Sequence, residues 1–521
     1  SINVQVTTEK AAILDVEKES VVGYLSKGFT FNTDEQCKEW CYFTLDDRKM
    51  KLAEADVSQT KTKKRFEDTI KKVEATEFVQ IVRETTIVTE QKDDAQIIAY
   101  IAANQSVPII STQDEWAKIE VLNQIAYMKR TNVLEEQSVN VHNVFVVDTA
   151  SSIYSSKQLE KEGEIAILQP NVPIEYIAET NDYFAIELGQ SVGYVEKSRG
   201  TKTNGAVLTK LKTEPNASGG ISTTNAQVPV YTEMSVDSQK QMVLLQGLRY
   251  PIEGQWEDWY ILRIGGQVGY VAKQEATLDK GIPVLMYHHV LPESELATYK
   301  GVSTTITAEA FEEQMTYLVK EQFKVLTKQE LLAYLQGELI LPLNAVMITF
   351  DDGLLSSKEY AYPILKQHGL QALQHIISAR KDREDGFQEF DANAKLQFVT
   401  DEEMEEMKDV FSYEAHTFNL HILDPDTQTS RLVKASAGEL RDDLLQNLED
   451  LPNATAFAYP FGQYTEETIE VLRELDFKLA FTTQEGYTII GENEFLLKRF
   501  GPTQDTTLEQ FVQYVNRGIQ Y

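Results

Sequence analysis

Residues 258–273 read DWYILRIGGQVGYVAK and residues 182–197 read DYFAIELGQSVGYVEK, an ungapped match at an offset of 76. Self-similarity of this kind limits the fold more than composition does, because each copy has to be one small unit that packs beside its neighbours. The same frame extends to Trp116–Val121 followed by Ala126-Tyr127-Met128. At lower identity it reaches Trp40–Leu45 followed by Met50-Lys51-Leu52. Four units of about 50–60 residues result, over 1–60, 78–135, 140–200 and 226–276. Each alternates apolar and polar residues over short runs bounded by turn residues, the pattern of half-buried strands in a small all-β barrel or sandwich. Gly265-Gly266 marks a tight hairpin, since both central residues can take positive φ. The stretch 62–77, TKKRFEDTIKKVEATE, reads as a short charged helix between the first two units. The segment 200–226, rich in Thr, Asn, Gly and Ser, reads as a linker.

After Lys280 the pattern changes. IPVLMYHHV, FEEQMTYLVKEQ, FKVLT, KQELLAYLQ and AVMITF alternate strand-like and helix-like runs over residues 277–521. Such alternation argues for βαβ units on a parallel sheet or barrel, whose chemistry gathers at the carboxyl ends of the strands. Four strand ends carry reactive or unusual residues. Asn344–Phe350 runs into Asp351-Asp352-Gly353, two adjacent carboxylates that repel unless a cation or proton shares the site. Phe411–Ala415 runs into His416, with His421 five residues on. On a helix that separation turns about 140°, so the two rings would not share a helical face. From a strand end and a following turn, however, they can converge on a metal with one carboxylate. Ala456-Phe457-Ala458 leads into Tyr459-Pro460-Phe461-Gly462, where the Phe461 N–H is open to an anionic oxygen and flanking aromatic faces suit sugar rings. A last strand over Phe495–Pro502 carries Arg499.

These motifs resemble the polysaccharide deacetylase (NodB-like, carbohydrate esterase family 4) family. T-F-D-D-G stands at Thr349–Gly353, P-V-L-M-Y-H at Pro283–His288, and a histidine pair follows a strand. The His-x4-His spacing and the run FAYPFG resemble the branch that deacetylates poly-N-acetylglucosamine. The resemblance implies a multidomain chain with a C-terminal α/β distorted (β/α) barrel over 277–521. It implies Asp351 as general base, with Asp352, His416 and His421 holding a divalent metal. That metal would be zinc first, with cobalt, nickel or iron as alternatives. The Phe461 N–H would stabilise the oxyanion, and Tyr287, His288, Tyr459 and Pro460 would contact substrate. Two departures stand out. Where most members have L-x-H with an acid histidine, Leu497-Lys498-Arg499 stands here, and arginine is a poor proton donor. The arginine that usually precedes P-P-Y is missing too, and Arg499 would take its place by pairing with Asp351. The G-Y-V endings of the upstream units resemble bacterial SH3-like repeats, which implies cell-wall glycan or peptide as partner, or a spacer role.

Composition narrows the alternatives. Net charge is −32 and the pI near 4.7, which disfavours nucleic acid and anionic lipid as partners. No run of 18 or more apolar residues suggests a membrane span, and no signal or anchor is legible. The cell surface of a bacterium is the location implied by the substrate class and the repeats. Cys37 and Cys41 are too few for a disulfide framework, and either free thiols or one short-loop disulfide fits them. Three other readings use the same residues: an O-acetyl esterase, a non-haem iron oxygenase, and a wall-binding scaffold with a weakened site. Against the oxygenase, Thr417 and Phe418 stand where that class keeps a carboxylate beside its first histidine.

Overall fold

The computed structural model describes residues 2–45, 48–60, 78–81, 84–103, 105–113, 115–122, 124–130, 133–141, 143–203, 206–211, 219–224, 226–256, 258–265, 267–381 and 386–516. The helix expected over 62–77 lies outside the described residues.

The repeated motif forms the same hairpin four times, with two six-residue strands joined by two residues. The pairs are Trp40–Leu45 with Arg48–Ala53, Trp116–Val121 with Gln124–Lys129, Tyr183–Leu188 with Ser191–Glu196, and Trp259–Ile264 with Gln267–Ala272. Their ladders close in the same register, from Trp40 opposite Ala53 to Trp259 opposite Ala272. The turns need left-handed backbone, seen at Leu122 (φ 47°), Gly189 (φ 63°) and Gly265 (φ 49°).

The units join in pairs. The first two share one nine-stranded sheet and the last two share one ten-stranded sheet. In the first joint Tyr24 stands opposite Tyr100, and in the second Ile167 stands opposite Val243. Both facing pairs are equivalent positions at the 76-residue offset, so each joint is a local pseudo-twofold axis, and a 143-residue step carries one joint onto the other. Cys37 and Cys41 are disulfide-bonded.

Among its described residues, the expected linker over 200–226 is largely strand. Gly200–Thr203 pairs with Val144–Val147, Ala206–Leu211 pairs within Val133–Val141, and Gly220–Ser222 pairs with Leu248–Pro251. Small and polar residues read as loop by composition, but β-branched Thr, Val and Ile fit a pleated sheet once neighbouring edges are available.

The second half is built on six parallel strands in which chain order equals spatial order. They are β1 (Ile282–Tyr287), β2 (Ala345–Phe350), β3 (Ala372–Ile376), β4 (Phe411–Ala415), β5 (Ala456–Ala458) and β6 (Leu479–Phe481). Every residue of β2, β3, β5 and β6 is buried, which explains why they are mostly apolar, with Thr349, Gln374 and His375 as the polar exceptions. Helices such as Ala308–Lys320 and Ala437–Asp450 cover the outside. The second starts on a capping box between Ser436 and Glu439.

The expected last strand over 495–502 is not a regular strand. It bridges one residue at a time, Leu497 to Phe481 on one side and Phe500 to Leu285 on the other. The segment thereby lies between β6 and β1 and brings the two edges of the sheet together, giving a barrel-like closure with Arg499 inside the seam.

The two halves interlock. Leu248 and Arg249 of the fourth unit pair with Pro342 and Leu341, just before β2. Arg249 is fully buried and donates to the Asp279 carboxylate, to Gly281 O at 3.0 Å and to Leu343 O at 2.7 Å. Asp279 also accepts the Tyr334 hydroxyl at 2.7 Å. This joint grips the amino ends of β1 and β2, opposite the strand ends that carry the reactive residues.

Candidate active site

Immediately after β2 the chain turns through left-handed backbone at Asp352 (φ 76°) and Gly353 (φ 74°), and the two carboxylates diverge. Asp351 is 2% exposed and meets Arg499, which is 1% exposed. Arg499 Nη1 donates to Asp351 Oδ1 at 2.8 Å, and Nη2 donates to Oδ2 at 2.7 Å. Further bonds from Nε to Thr482 O at 2.9 Å and from Nη1 to Thr349 Oγ1 at 3.1 Å fix the guanidinium plane. Burial alone would push the Asp351 carboxyl up. The Arg499 charge and its two hydrogen bonds outweigh that and hold it well below the usual carboxylate range.

Asp352 turns to the histidines. Its Oδ1 lies 3.3 Å from Nε2 of His416 and 3.3 Å from Nε2 of His421. Burial opposes its ionisation, but His416, His288 and His421 bring its pKa down to about 2. His416 sits at the end of β4 and its Nδ1 donates to Ala458 O at 2.6 Å, on the neighbouring strand. A carbonyl only accepts, so Nδ1 carries a proton and the ring is oriented with Nε2 toward Asp352.

The chain then reverses at Thr417 (φ 73°). Asp443, from helix Ala437–Asp450, accepts the N–H groups of Phe418 and Asn419 at 2.8 Å each and holds the reversal that returns His421 to the site. Burial, with His416 alongside, lowers His421 to about 3, so its ring is neutral as a metal ligand must be. The ligand atoms of Asp352, His416 and His421 lie within 4.8 Å of one another.

These residues fit a divalent cation on structural grounds. Among the described residues, Asp352 Oδ1 and His421 Nδ1 are buried without a hydrogen-bond partner. A buried carboxylate oxygen without a hydrogen-bond partner facing two imidazole nitrogens is costly unless a cation completes it, and two nitrogens with one oxygen suit zinc or a neighbouring first-row ion.

The remaining expected residues divide. His288 lies at the same strand end, with Nε2 3.8 Å from Asp351 Oδ2. Phe461 takes φ 57° and is 40% exposed, and its ring centroid is 4.4 Å from that of His421. Among the described residues its N–H donates to no backbone carbonyl.

Tyr287, Tyr459 and Pro460 do not face a substrate. Tyr287 is 1% exposed with its hydroxyl on Gln314 Oε1 at 2.6 Å. Tyr459 is fully buried with its hydroxyl on Phe495 O at 2.8 Å, and Pro460 is buried beside it. Both phenols are core side chains whose polar end found a carbonyl. The aromatic residues exposed at this rim are instead Phe461 and, at 38%, Tyr464.

Sequence reasoning also passed over Asp443, Ser356 and the fully buried His375. The available signal for His375 was a pair of polar residues, Gln374 and His375, inside the short run ALQHI.

A paired carboxylate and three residues able to hold a cation, both at the carboxyl ends of parallel strands, suit metal-assisted hydrolysis. The polysaccharide deacetylase family model matches residues 341–480. Poly-beta-1,6-N-acetyl-D-glucosamine N-deacetylase of Staphylococcus aureus (strain N315) is 28% identical over 202 residues, 37% of this chain and 67% of the relative. The protein YxkH of Bacillus subtilis (strain 168) is 26% identical over 238 residues, 45% of this chain and 76% of the relative. Among solved structures, IcaB from Ammonifex degensii is 26% identical with a TM-score of 0.39, covering 46% of this chain and 98% of that one. The chain carries a polysaccharide deacetylase domain in its C-terminal region.

Proposed function

We propose that residues 277–521 remove N-acetyl groups from a cell-surface N-acetylglucosamine polymer, with poly-β-1,6-N-acetylglucosamine favoured over peptidoglycan because the named S. aureus relative acts on it. The observation that carries the reading is the Asp351–Arg499 pair set beside the convergent Asp352, His416 and His421. A divalent cation held by those three ligands would polarise the acetamide carbonyl and acidify a water.

The chain's own residues supply the rest. Asp351, kept ionised by Arg499, takes the proton of the attacking water. The Phe461 N–H donates to the oxyanion, a contribution of about 3–4 kcal/mol for such a donor. Arg499 acts by orienting Asp351 and stays protonated itself. His288 is the imidazole near Asp351 that the cation set does not use, so it delivers a proton to the leaving amine. The proton donor that the L-x-H departure left open is thereby assigned to the first strand end. The exposed Phe461 ring offers a face to a sugar.

The upstream units, over 1–60, 78–135, 140–200 and 226–276, act as SH3-like repeats that hold the enzyme at wall glycan or wall peptide at a bacterial cell surface. Acetate release from β-1,6-linked N-acetylglucosamine oligomers, compared with purified peptidoglycan, tests the reading. Faster release from the oligomers is expected. Release from peptidoglycan alone would move the substrate to the wall, and release from O-acetylated glycans alone would make the enzyme an esterase.

A further inference from the structure

The proton-handling residues sit on two different loops. His288 follows β1, while Asp351 and Asp352 follow β2. The Asp351 N–H donates to Tyr287 O at 2.9 Å where the strands end, and beyond it a buried side-chain hydrogen bond ties the two loops together. Ser356 is four residues beyond Asp352, 1% exposed, and its Oγ lies 2.8 Å from Nδ1 of His289, which is 6% exposed. The Val290 N–H donates to the same Oγ at 3.3 Å. We propose that Ser356 and His289 are positioning residues that hold His288 against the Asp351–Asp352 turn, an inference that rests on the deacetylase reading above.

The chemistry of the pair fits that role. Ser356 Oγ accepts the Val290 N–H and shares a second hydrogen bond with His289 Nδ1, one that either neutral tautomer of the ring can make. Among the described residues Nε2 of that ring is buried with no partner. Burial brings the His289 pKa down to about 4, which keeps the ring neutral. An apolar side chain of similar size would fill the space but would remove the partner of the Ser356 hydroxyl across the two loops.

Both ends of the bond are themselves braced. Tyr299 packs edge-on against the His289 ring with centroids 4.6 Å apart, and its hydroxyl donates to Ala394 O at 2.9 Å. Ser356 leads directly into the π-helical turn Ser357–Ala361, and such turns recur at functional sites. Movement of either loop would change the 3.8 Å separation of His288 Nε2 and Asp351 Oδ2, on which proton delivery depends.

The test uses the full chain with Ser356→Ala, His289→Phe and His289→Asn. Asparagine places a polar atom near the Nδ1 position and serves as the conservative rescue. Acetate release from β-1,6-linked N-acetylglucosamine oligomers is expected to show kcat lowered about tenfold or more in Ser356→Ala and His289→Phe, with KM within about twofold and bound metal unchanged. His289→Asn is expected to recover most of kcat. In parallel, 15N spectra of the ring of His288 in metal-free protein are expected to shift or broaden in Ser356→Ala. An unchanged kcat in Ser356→Ala overturns the proposal, as does a loss matched by lost metal. If the parent chain releases no acetate, the deacetylase reading fails, and an unchanged His288 spectrum would then overturn the positioning role separately.

Discussion

At the scale of single residues, the site is a set of opposed charges whose pairing decides what each can do. Arg499 reaches Asp351 with two parallel N–H bonds, a geometry that lysine cannot reproduce. Arg499→Lys is therefore expected to lower kcat by about tenfold or more at neutral pH while metal content stays constant, read by acetate release and metal analysis. His288→Gln removes the assigned proton donor and is expected to cost about 10²-fold in kcat with little change in KM. His289 gives a pH signature in stability. Its folded pKa of about 4 lies below the ordinary 6.5, so the unfolded chain binds more protons between those values. Its contribution is complete above pH 6.5 and is lost as pH falls toward 4, by about 3 kcal/mol at most. His289→Asn should flatten that part of the stability curve measured by chemical denaturation, and an unchanged slope would show that the imidazole is solvated.

At the scale of elements, three site turns use left-handed backbone at non-glycine residues, Asp352, Thr417 and Phe461. Such strain persists where the surroundings over-determine it, and it aims side chains that regular strands cannot. Gly462, in the Phe461 turn, has φ 69°, and a Cβ there would lie 2.0 Å from Thr483 Oγ1. Gly462→Val should displace the Phe461 N–H and remove most activity while circular dichroism stays near the parent spectrum. The strands bearing these turns were legible in sequence because β2 is an apolar run and β4 alternates through Phe411, Tyr413 and Ala415, each ending in unusual residues. That His416 and His421 could converge with one carboxylate was legible from a strand end followed by a turn, and the family resemblance then singled out Asp352 as that carboxylate. The misassigned aromatics, Tyr287 and Tyr459, show the limit. An aromatic residue at a strand end reads the same whether its ring meets solvent or core, and only the carbonyl or amide partner of its hydroxyl decides.

At the scale of the whole molecule, the hairpins were legible from period-two patterning, but their pairing was not. Which edges fuse depends on contacts such as Tyr24 with Tyr100, between residues far apart in the chain. The joint between the fourth unit and the barrel was equally hidden, because Arg249 and Asp279 read singly as surface charges although both are buried. Removing one partner of a buried ion pair typically costs about 3–5 kcal/mol. A fragment beginning at residue 277 lacks Arg249 and strands the Asp279 carboxylate, so it should melt well below one beginning at 219. Equal melting temperatures would show that the joint is incidental.

The central claim is that Asp352, His416 and His421 hold a cation that the hydrolysis requires. The most direct measurement is acetate release from β-1,6-linked N-acetylglucosamine oligomers by the full chain as purified, after chelation, and after zinc is restored, beside Asp352→Ala. Loss on chelation, recovery with zinc and no recovery in Asp352→Ala are predicted. Undiminished release from the chelated protein, or from Asp352→Ala, would contradict the account.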